Sequence, residues 1–331
     1  MEARSIDEIP VGDEWQYEPK WDGFRCIAFR DHDEIYLQSK AGQPLARYFP
    51  DVVAELLQLG AKRFVLDGEL VIPVRGALSF DELQLRLHPA ASRVQKLATA
   101  HPAMIVVFDL LADESGKSLL SLPLPERRQS LETFAPKYFK ASSAVRLSPA
   151  TTSLTTAKKW FDKVGGDLDG VIAKQIDVAY ASGERTAMVK VKQIRTVDCV
   201  VGGFRYGTNS GLLGSLLLGL YDNAGLLHHV GFTSAFKVSD RKALTKKFEA
   251  LKKAPGFTGN APGGPSRWNT ERSGEWEPVD PSVVVEVTYD HFTGERFRHG
   301  TKIVRWREDK TPQQCTLDQV EGREGKSLAL L

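Results

Sequence analysis

At 331 residues, 42% of them apolar and with a formal net charge of +2, the chain is long enough for two domains with separate cores, and too nearly neutral for composition alone to announce a nucleic-acid partner. Three widely spaced cysteines, Cys26, Cys199 and Cys315, argue against a disulfide framework and a thiolate zinc site, and fit a reducing cytoplasm. No apolar run is long enough to cross a bilayer and the opening residues lack an apolar signal region, so a soluble protein is expected.

The first chemistry-bearing segment is Glu18-Pro19-Lys20-Trp21-Asp22-Gly23-Phe24-Arg25. A lysine fixed in K-x-D-G-x-R is suited to attack the α-phosphorus of a nucleotide. Residues 23–30 and 34–38 read as strands around the turn Asp31-His32-Asp33, which would set Lys20 at the mouth of a hairpin. Residues 51–59 have helical apolar spacing, and 64–72 read as a strand carrying Asp67-Gly68-Glu69. Ser79 and Glu82 form a capping box that opens a short helix. The continuous apolar, β-branched run 104–111 reads as a buried strand reaching Phe108-Asp109. Helices are expected over 125–134 and 154–164, and strands over 170–174 and 188–194. In the latter strand, Lys190 and Lys192 share one face while Val189 and Val191 take the other.

From residue 197 the pattern changes to short strands with glycine turns, over 197–204, 215–222, 226–232 and 283–289. A helix over 240–252 and a Gly/Pro-rich loop over 255–265 interrupt them, which suggests a small closed barrel of the OB kind. Arg241, Lys242, Lys246, Lys247, Lys252 and Lys253 crowd that helix, and Arg296, Arg298, Lys302, Arg305, Arg307 and Lys310 crowd the end of the domain. Each run reads either as a nucleic-acid face or as a solvated charged face.

A lysine must be neutral to attack, yet its ordinary pKa is about 10.4, so the site is expected to depress it by burial or by nearby cations such as Lys190 and Lys192. The same two cations would neutralise a triphosphate as pyrophosphate leaves. Gly202, Gly203, Gly207, Gly211 and Gly214 match no phosphate-loop pattern and read as turn glycines. His228 and His229, adjacent on a strand, point to opposite faces and do not share a metal ion. Asp290 and His291 have no serine or cysteine nucleophile motif beside them, which leaves little weight for a hydrolase.

The blocks Lys20-Trp21-Asp22-Gly23-Phe24-Arg25, Leu66-Asp67-Gly68-Glu69-Leu70, Val107-Phe108-Asp109, Asp169-Gly170-Val171-Ile172-Ala173-Lys174, Val189-Lys190-Val191-Lys192 and Arg305-Trp306-Arg307-Glu308-Asp309-Lys310 occur in this order. In this the chain resembles the bacterial ATP-dependent DNA ligases of the short auxiliary kind. The resemblance implies an α+β fold: an adenylation (nucleotidyltransferase) domain with antiparallel sheets and flanking helices over 1–195, then a β-barrel OB-fold domain over 196–331. It implies nick sealing in duplex DNA, in repair, through a lysyl-AMP on Lys20, with ATP and Mg²⁺ as cofactors. Glu18 would lie beside the adenine, Phe108 would stack on it, and Arg25 and Glu69 would contact the ribose region. Lys40, Lys174, Lys190 and Lys192 would complete the nucleotide contacts, and Asp169 with Glu69 would hold the metal. Arg305, Arg307, Asp309 and Lys310 would reach the leaving pyrophosphate when the second domain closes about a hinge near 193–196. Three positions depart from the family's habit: Asp169 stands where glutamate is commoner, Lys40 where arginine is frequent, and Met188 where an aromatic often precedes the K-x-K pair.

A monomer in the bacterial cytosol, gripping nicked DNA weakly or with the help of repair proteins, completes the expectation. The alternatives are an RNA ligase or a GTP-dependent capping-type nucleotidyltransferase, separated by which nucleotide labels the protein. From another class comes a non-catalytic OB-type nucleic-acid-binding protein, against which the retention of every block argues. An NAD-dependent ligase is disfavoured by the short chain and the lack of a cysteine-rich module.

Overall fold

The computed structural model describes residues 1–163, 168–208, 210–263, 275–320 and 327–331. The expected helix end at Val164 and loop end at Pro265 therefore lie outside the described residues. The chain divides into two compact units, Met1–Gln193 with Glu324–Leu331, and Ile194–Arg323. The sequence reading put the division at 195/196 and the whole tail in the second domain. The tail goes to the first unit because Leu330 and Leu331 pack against a cluster of Trp21, Val71, Val106 and Leu168.

The first unit contains, in order, β1 (Arg4–Ser5), β2 (Trp15–Trp21), β3 (Phe24–Asp31), β4 (Glu34–Ser39), α1 (Pro50–Gln58), β5 (Arg63–Val71), β6 (Pro73–Val74), β7 (Ala77–Leu78), α2 (Phe80–Leu85) and α3 (Ala91–Ala100). It continues with β8 (Met104–Ala112), α4 (Leu124–Tyr138), β9 (Val145–Leu147), α5 (Leu154–Lys163), β10 (Leu168–Gln175) and β11 (Met188–Lys192). These strands make two main sheets, β4-β3-β5-β8-β9 and β1-β11-β10-β2. In the larger sheet Cys26, Ala28, Leu66, Ile105 and Val107 join Val52, Leu56, Leu131 and Phe134 of α1 and α4 in the main core. Each large apolar side chain buried there contributes about 1.5–3 kcal/mol. Ser79 Oγ accepts from the Glu82 amide at 3.3 Å and so caps α2.

The smaller sheet positions the chemistry. Tyr17, Val171, Ala173 and Val189 pack beneath Ala157 and Trp160 of α5. The period of two along a strand then turns Glu18, Lys20, Ile172, Lys174 and Lys190 to the opposite face. Lys20 is therefore a residue inside β2, opposite Gly170 of β10, and not at the mouth of the β3–β4 hairpin. Asp22 and Gly23 carry the chain from one sheet to the other, and a side chain at Gly23 would run into the Leu70 carbonyl at 2.1 Å.

The second unit holds β12 (Arg195–Tyr206), β13 (Leu213–Tyr221), β14 (Leu227–Thr233), α6 (Arg241–Glu249), β15 (Glu277–Pro278), β16 (Val284–Tyr289), β17 (Phe292–Thr293), β18 (Arg296–Phe297) and β19 (Lys302–Trp306). The main sheet runs β14-β13-β12-β16-β19, with β15 added to β12. Its core includes Val201, Phe204, Leu218, Phe248 and Val285. The expected closed barrel is an open antiparallel sheet among the described residues. Its edge strands meet only at an isolated parallel bridge between Thr233 and Thr301, because β19 is a short, largely exposed strand. Gly202 and Gly203 are packing glycines: a Cβ on either would lie 2.6 Å from the ring of Phe257 or Trp276.

Candidate active site

A cleft of about 800 Å³ opens in the first unit, lined by Glu18, Lys20, Arg25, Lys40, Glu69, Phe108, Lys174 and Lys190 among others. Every nucleotide contact expected from the sequence in this unit lines it except Lys192. That residue reaches the site through Asp169, its Nζ 3.3 Å from Asp169 Oδ1.

Two β-bulges aim two of these side chains. Between β2 and β10, Leu168 faces Trp21 and Gly170 faces Lys20, so Asp169 is an extra residue that the β2–β10 register skips. Gly170 makes the turn with φ +138°, and a Cβ there would sit 1.9 Å from the Val191 carbonyl oxygen. The bulge brings the Asp169 carboxylate to Lys20 Nζ, with which it forms an ion pair. Between β5 and β8, Asp67 faces Asp109 and Gly68 faces Val107, leaving Phe108 as the extra residue. Its neighbour Asp109 is locked by Arg127 through bonds of 3.0 and 3.2 Å. The Phe108 ring lines the cleft, with Lys174 Nζ 4.7 Å and the Arg25 guanidinium 5.4 Å from its centroid.

At the inner end Lys174 Nζ pairs with Glu18 at 2.8 Å, and Gln16 donates to Glu18 at 2.9 Å. All three side chains are buried, so one Glu18 carboxylate is fixed by two donors. Arg25 is more committed than the sequence reading supposed. Its Nε and Nη2 donate to the Asp67 carboxylate at 2.9 and 2.5 Å and its Nη1 to the Met1 carbonyl at 2.7 Å. Tyr180 adds a bond of 2.7 Å to Asp67. Asp67 and Tyr180 are thus site residues to which the sequence reading gave no role. Asp67 shares the strand face of Glu69, a usable signal, whereas Tyr180, 113 positions away, gave none. Lys40, exposed, lies 3.5 Å from Glu2 at the rim. Ile172 and Met188 supply apolar wall.

The expectation that the site depresses the Lys20 pKa is overturned. Burial pushes it down, but the charges of Asp169 and Glu69 and the bond to Asp169 outweigh this, and the amine is held above its ordinary value. The sequence showed the cations but not the carboxylate that a bulge brings across the sheet. Lys190 does go down, through burial and the charges of Lys20 and Lys192. Glu69 is pushed up to about 7 by burial, against the pull of Lys20 and Arg25. Asp169 and Glu69 fit a hard cation that takes one or two carboxylates and fills its remaining positions with water and phosphate oxygens. Among the described residues no group of three His, Cys, Asp or Glu side chains encloses a metal ion.

In the second unit Arg307 donates to Asp198 at 3.0 and 3.1 Å and to Asp309 at 2.8 and 2.9 Å, and Lys310 donates to Asp198 at 2.8 Å. Bonds from Arg307 hold Asp309 down at about 2. Arg305 is exposed and paired with Glu286 at 2.6 Å. His228 binds Asp222 at 2.9 Å while His229 is buried against Phe257, so the two histidines diverge as their adjacency on a strand requires.

Residues 2–192 match the model of the ATP dependent DNA ligase domain, and residues 209–310 that of the ATP dependent DNA ligase C terminal region. The chain is 43% identical to DNA ligase C2 of Mycolicibacterium smegmatis, the match covering 97% of this chain and 93% of that one. It is 40% identical to DNA ligase C of Mycobacterium tuberculosis, again over 97% and 93%. A solved structure of a Lig E DNA ligase, 16% identical, shares the fold with a TM-score of 0.55 over 93% of this chain and 100% of that one. No helix among the described residues is long and apolar enough to cross a membrane. With one family model covering more than half of it and relatives at 40% and 43% identity along nearly its whole length, the chain belongs to the ATP-dependent DNA ligases, which form phosphodiester bonds using ATP and Mg²⁺ through a covalent AMP intermediate.

Proposed function

We propose that Lys20 Nζ is the amine that carries AMP, and that the cleft face of β2, β10 and β11 is the adenylylation site. The observation that supports this most is the convergence in one cleft of a largely buried amine paired with Asp169, the Phe108 ring, and a second amine, Lys190, with a lowered pKa. Adenine would rest against Phe108, Ile172 and Met188. Glu18, fixed by Lys174 and Gln16, would accept from its exocyclic amine. Arg25, anchored on Asp67, and Glu69 would wall the ribose side, and Lys40 would meet phosphate at the rim.

In the first step a bond forms between Lys20 Nζ and the α-phosphorus, the α-phosphorus–oxygen bond to the β-phosphate breaks, and pyrophosphate leaves with its charge met by Lys190 and Lys192. Lys20 starts as an ammonium ion, so Asp169 must first be drawn from it, after which the amine gives its proton to solvent water and attacks with the freed lone pair. Lys192, already 3.3 Å from the same carboxylate, is a cation at hand for that exchange. Asp169 and Glu69 would hold Mg²⁺, which when bound supplies charge neutralisation on the phosphates. AMP then passes from Lys20 to the 5′-phosphate at a nick, and the 3′-hydroxyl displaces it to join the strand. To Arg305, Arg307, Asp309 and Lys310 we assign the handling of pyrophosphate, a role that suits their charge.

The reading extends to the first unit as the adenylation domain and the second unit as an OB-fold domain. It also extends to a monomer in the bacterial cytosol that works in repair with partner proteins, for which the modest net charge of +2 is support. The test is to label the protein with ATP or GTP carrying a labelled α-phosphate and chase with nicked DNA or nicked RNA. ATP is expected to label the protein and to pass its label to the 5′-phosphate of nicked DNA. Labelling by GTP alone, or transfer only to RNA, overturns the reading.

A further inference from the structure

The rim of the cleft carries a cation that the nucleotide reading leaves unused. Lys20, Arg25, Lys40 and Lys174 each have a carboxylate partner, and Lys190 is assigned to pyrophosphate. Arg47 also lines the cleft but is exposed and has no carboxylate partner among the described residues. Its guanidinium lies 5.0 Å from the centroid of Tyr48 and donates to the Pro89 carbonyl at 2.9 Å. That bond ties the turn Ala46–Tyr48 to the segment that leads into α3, and α3 packs against the same turn.

Helix α3 continues the positive character away from the cleft. Arg93 and Lys96 are exposed and border a shallow groove with Ser92, Leu97 and Ala100. Residues 83–108 contain no Asp or Glu, and the other arginine of this stretch, Arg86, is buried on Asp51. Arg93 and Lys96, three apart on the helix, stand roughly 5–6 Å apart at Cβ, a spacing that lets them reach neighbouring phosphates of one strand.

We propose that Arg47, Arg93 and Lys96 form a backbone track for the DNA duplex, leading from the mouth of the nucleotide cleft across α3 and gripping phosphates without reading sequence. The inference rests on the ligase reading of the cleft, since the 5′-phosphate must come to Lys20. Arg93 and Lys96 border a groove separate from the cleft lining, so a nucleotide seated in the cleft does not account for them, which favours a polymer.

The experiment uses protein already adenylylated, so that nucleotide loading does not enter the readout, and measures binding to nicked duplex DNA between about 50 and 200 mM salt. Arg93→Ala with Lys96→Ala is expected to flatten the log–log salt slope by about 2, and adding Arg47→Ala by about 3, at roughly 0.9 per phosphate contact. The charge-preserving pair Arg93→Lys with Lys96→Arg is expected to keep the slope. Unchanged affinity and slope in the alanine variants overturn the track. So does an Arg47→Ala variant whose only defect is a raised KM for ATP, because the phosphate met there would then be the nucleotide's. Failure of the unaltered protein to take up AMP would instead strike the reading on which the track rests.

Discussion

The cleft of the first unit and the Asp198 cluster of the second both gather basic side chains, but they balance charge differently. In the cluster, Arg307 and Lys310 share two carboxylates, Asp198 and Asp309, so cations and anions are matched. In the cleft, Asp169 pairs with both Lys20 and Lys192, and Lys190 has its pKa lowered by burial and by the charges of those two amines. One arrangement is settled; the other holds a positive surplus beside its nucleophile. A triphosphate would relieve that surplus, which is why the cleft is the better place for nucleotide chemistry.

Substitutions can break or sharpen this contrast. The largest effect is expected at Gly170, where a methyl group collides with the Val191 carbonyl. Gly170→Ala should displace Asp169 and lower self-adenylylation by at least about 100-fold, since a shift of about 1 Å can cost that much. It should also lower the thermal midpoint; a variant with wild-type adenylylation would show that the bulge does not position the carboxylate. Asp169→Asn comes next, with an expected loss of roughly 100-fold or more in rate. It also removes the largest influence raising the Lys20 pKa. Because the neutral amine reacts, the wild-type rate should climb with pH into the alkaline range, and the residual activity of the variant should reach its plateau at lower pH. A pH–rate profile that stays put, or moves upward, contradicts the assigned ion pair.

The second region should answer differently. Asp198→Asn leaves Arg307 and Lys310 short of a carboxylate, so stability should fall by about 1–3 kcal/mol in urea unfolding. The adenylylation rate should change far less than in Asp169→Asn, and a comparable loss of rate would erase the distinction between the regions. The smallest effect belongs to α6, where Lys246 and Lys247 are exposed and Lys247 lies over Trp306 at 4.7 Å. Replacing both lysines with glutamate should weaken nick binding and reduce its salt slope by about 2. An unchanged slope returns this face to ordinary solvation.

Much of this was legible in the chain. Periodicity gave the β3–β4 hairpin, β5, β8, β10, β11 and the helices α1, α4, α5 and α6, and the alternation in 188–192 put Lys190 and Lys192 on one face, from which Lys190 lines the cleft. What escaped has physical causes. Trp15–Trp21 alternates as a strand should, but Pro19 lacks an amide donor and speaks against one, so Lys20 seemed to stand outside the sheet. Helix α3 has neither a side-chain cap nor an acidic first turn to announce it. Asp169 and Phe108 both sit at bulges, where an added residue breaks the period of two on which facing is inferred. The ion pair that holds Lys20 protonated therefore could not be anticipated from the K-x-D-G motif, although the motif did locate the amine.

The most direct test is intact-mass measurement followed by peptide mapping after incubation with ATP and Mg²⁺. One AMP per chain on the peptide containing Lys20, absent from Lys20→Ala, is the predicted result. AMP on another residue, or undiminished uptake by Lys20→Ala, would contradict the account.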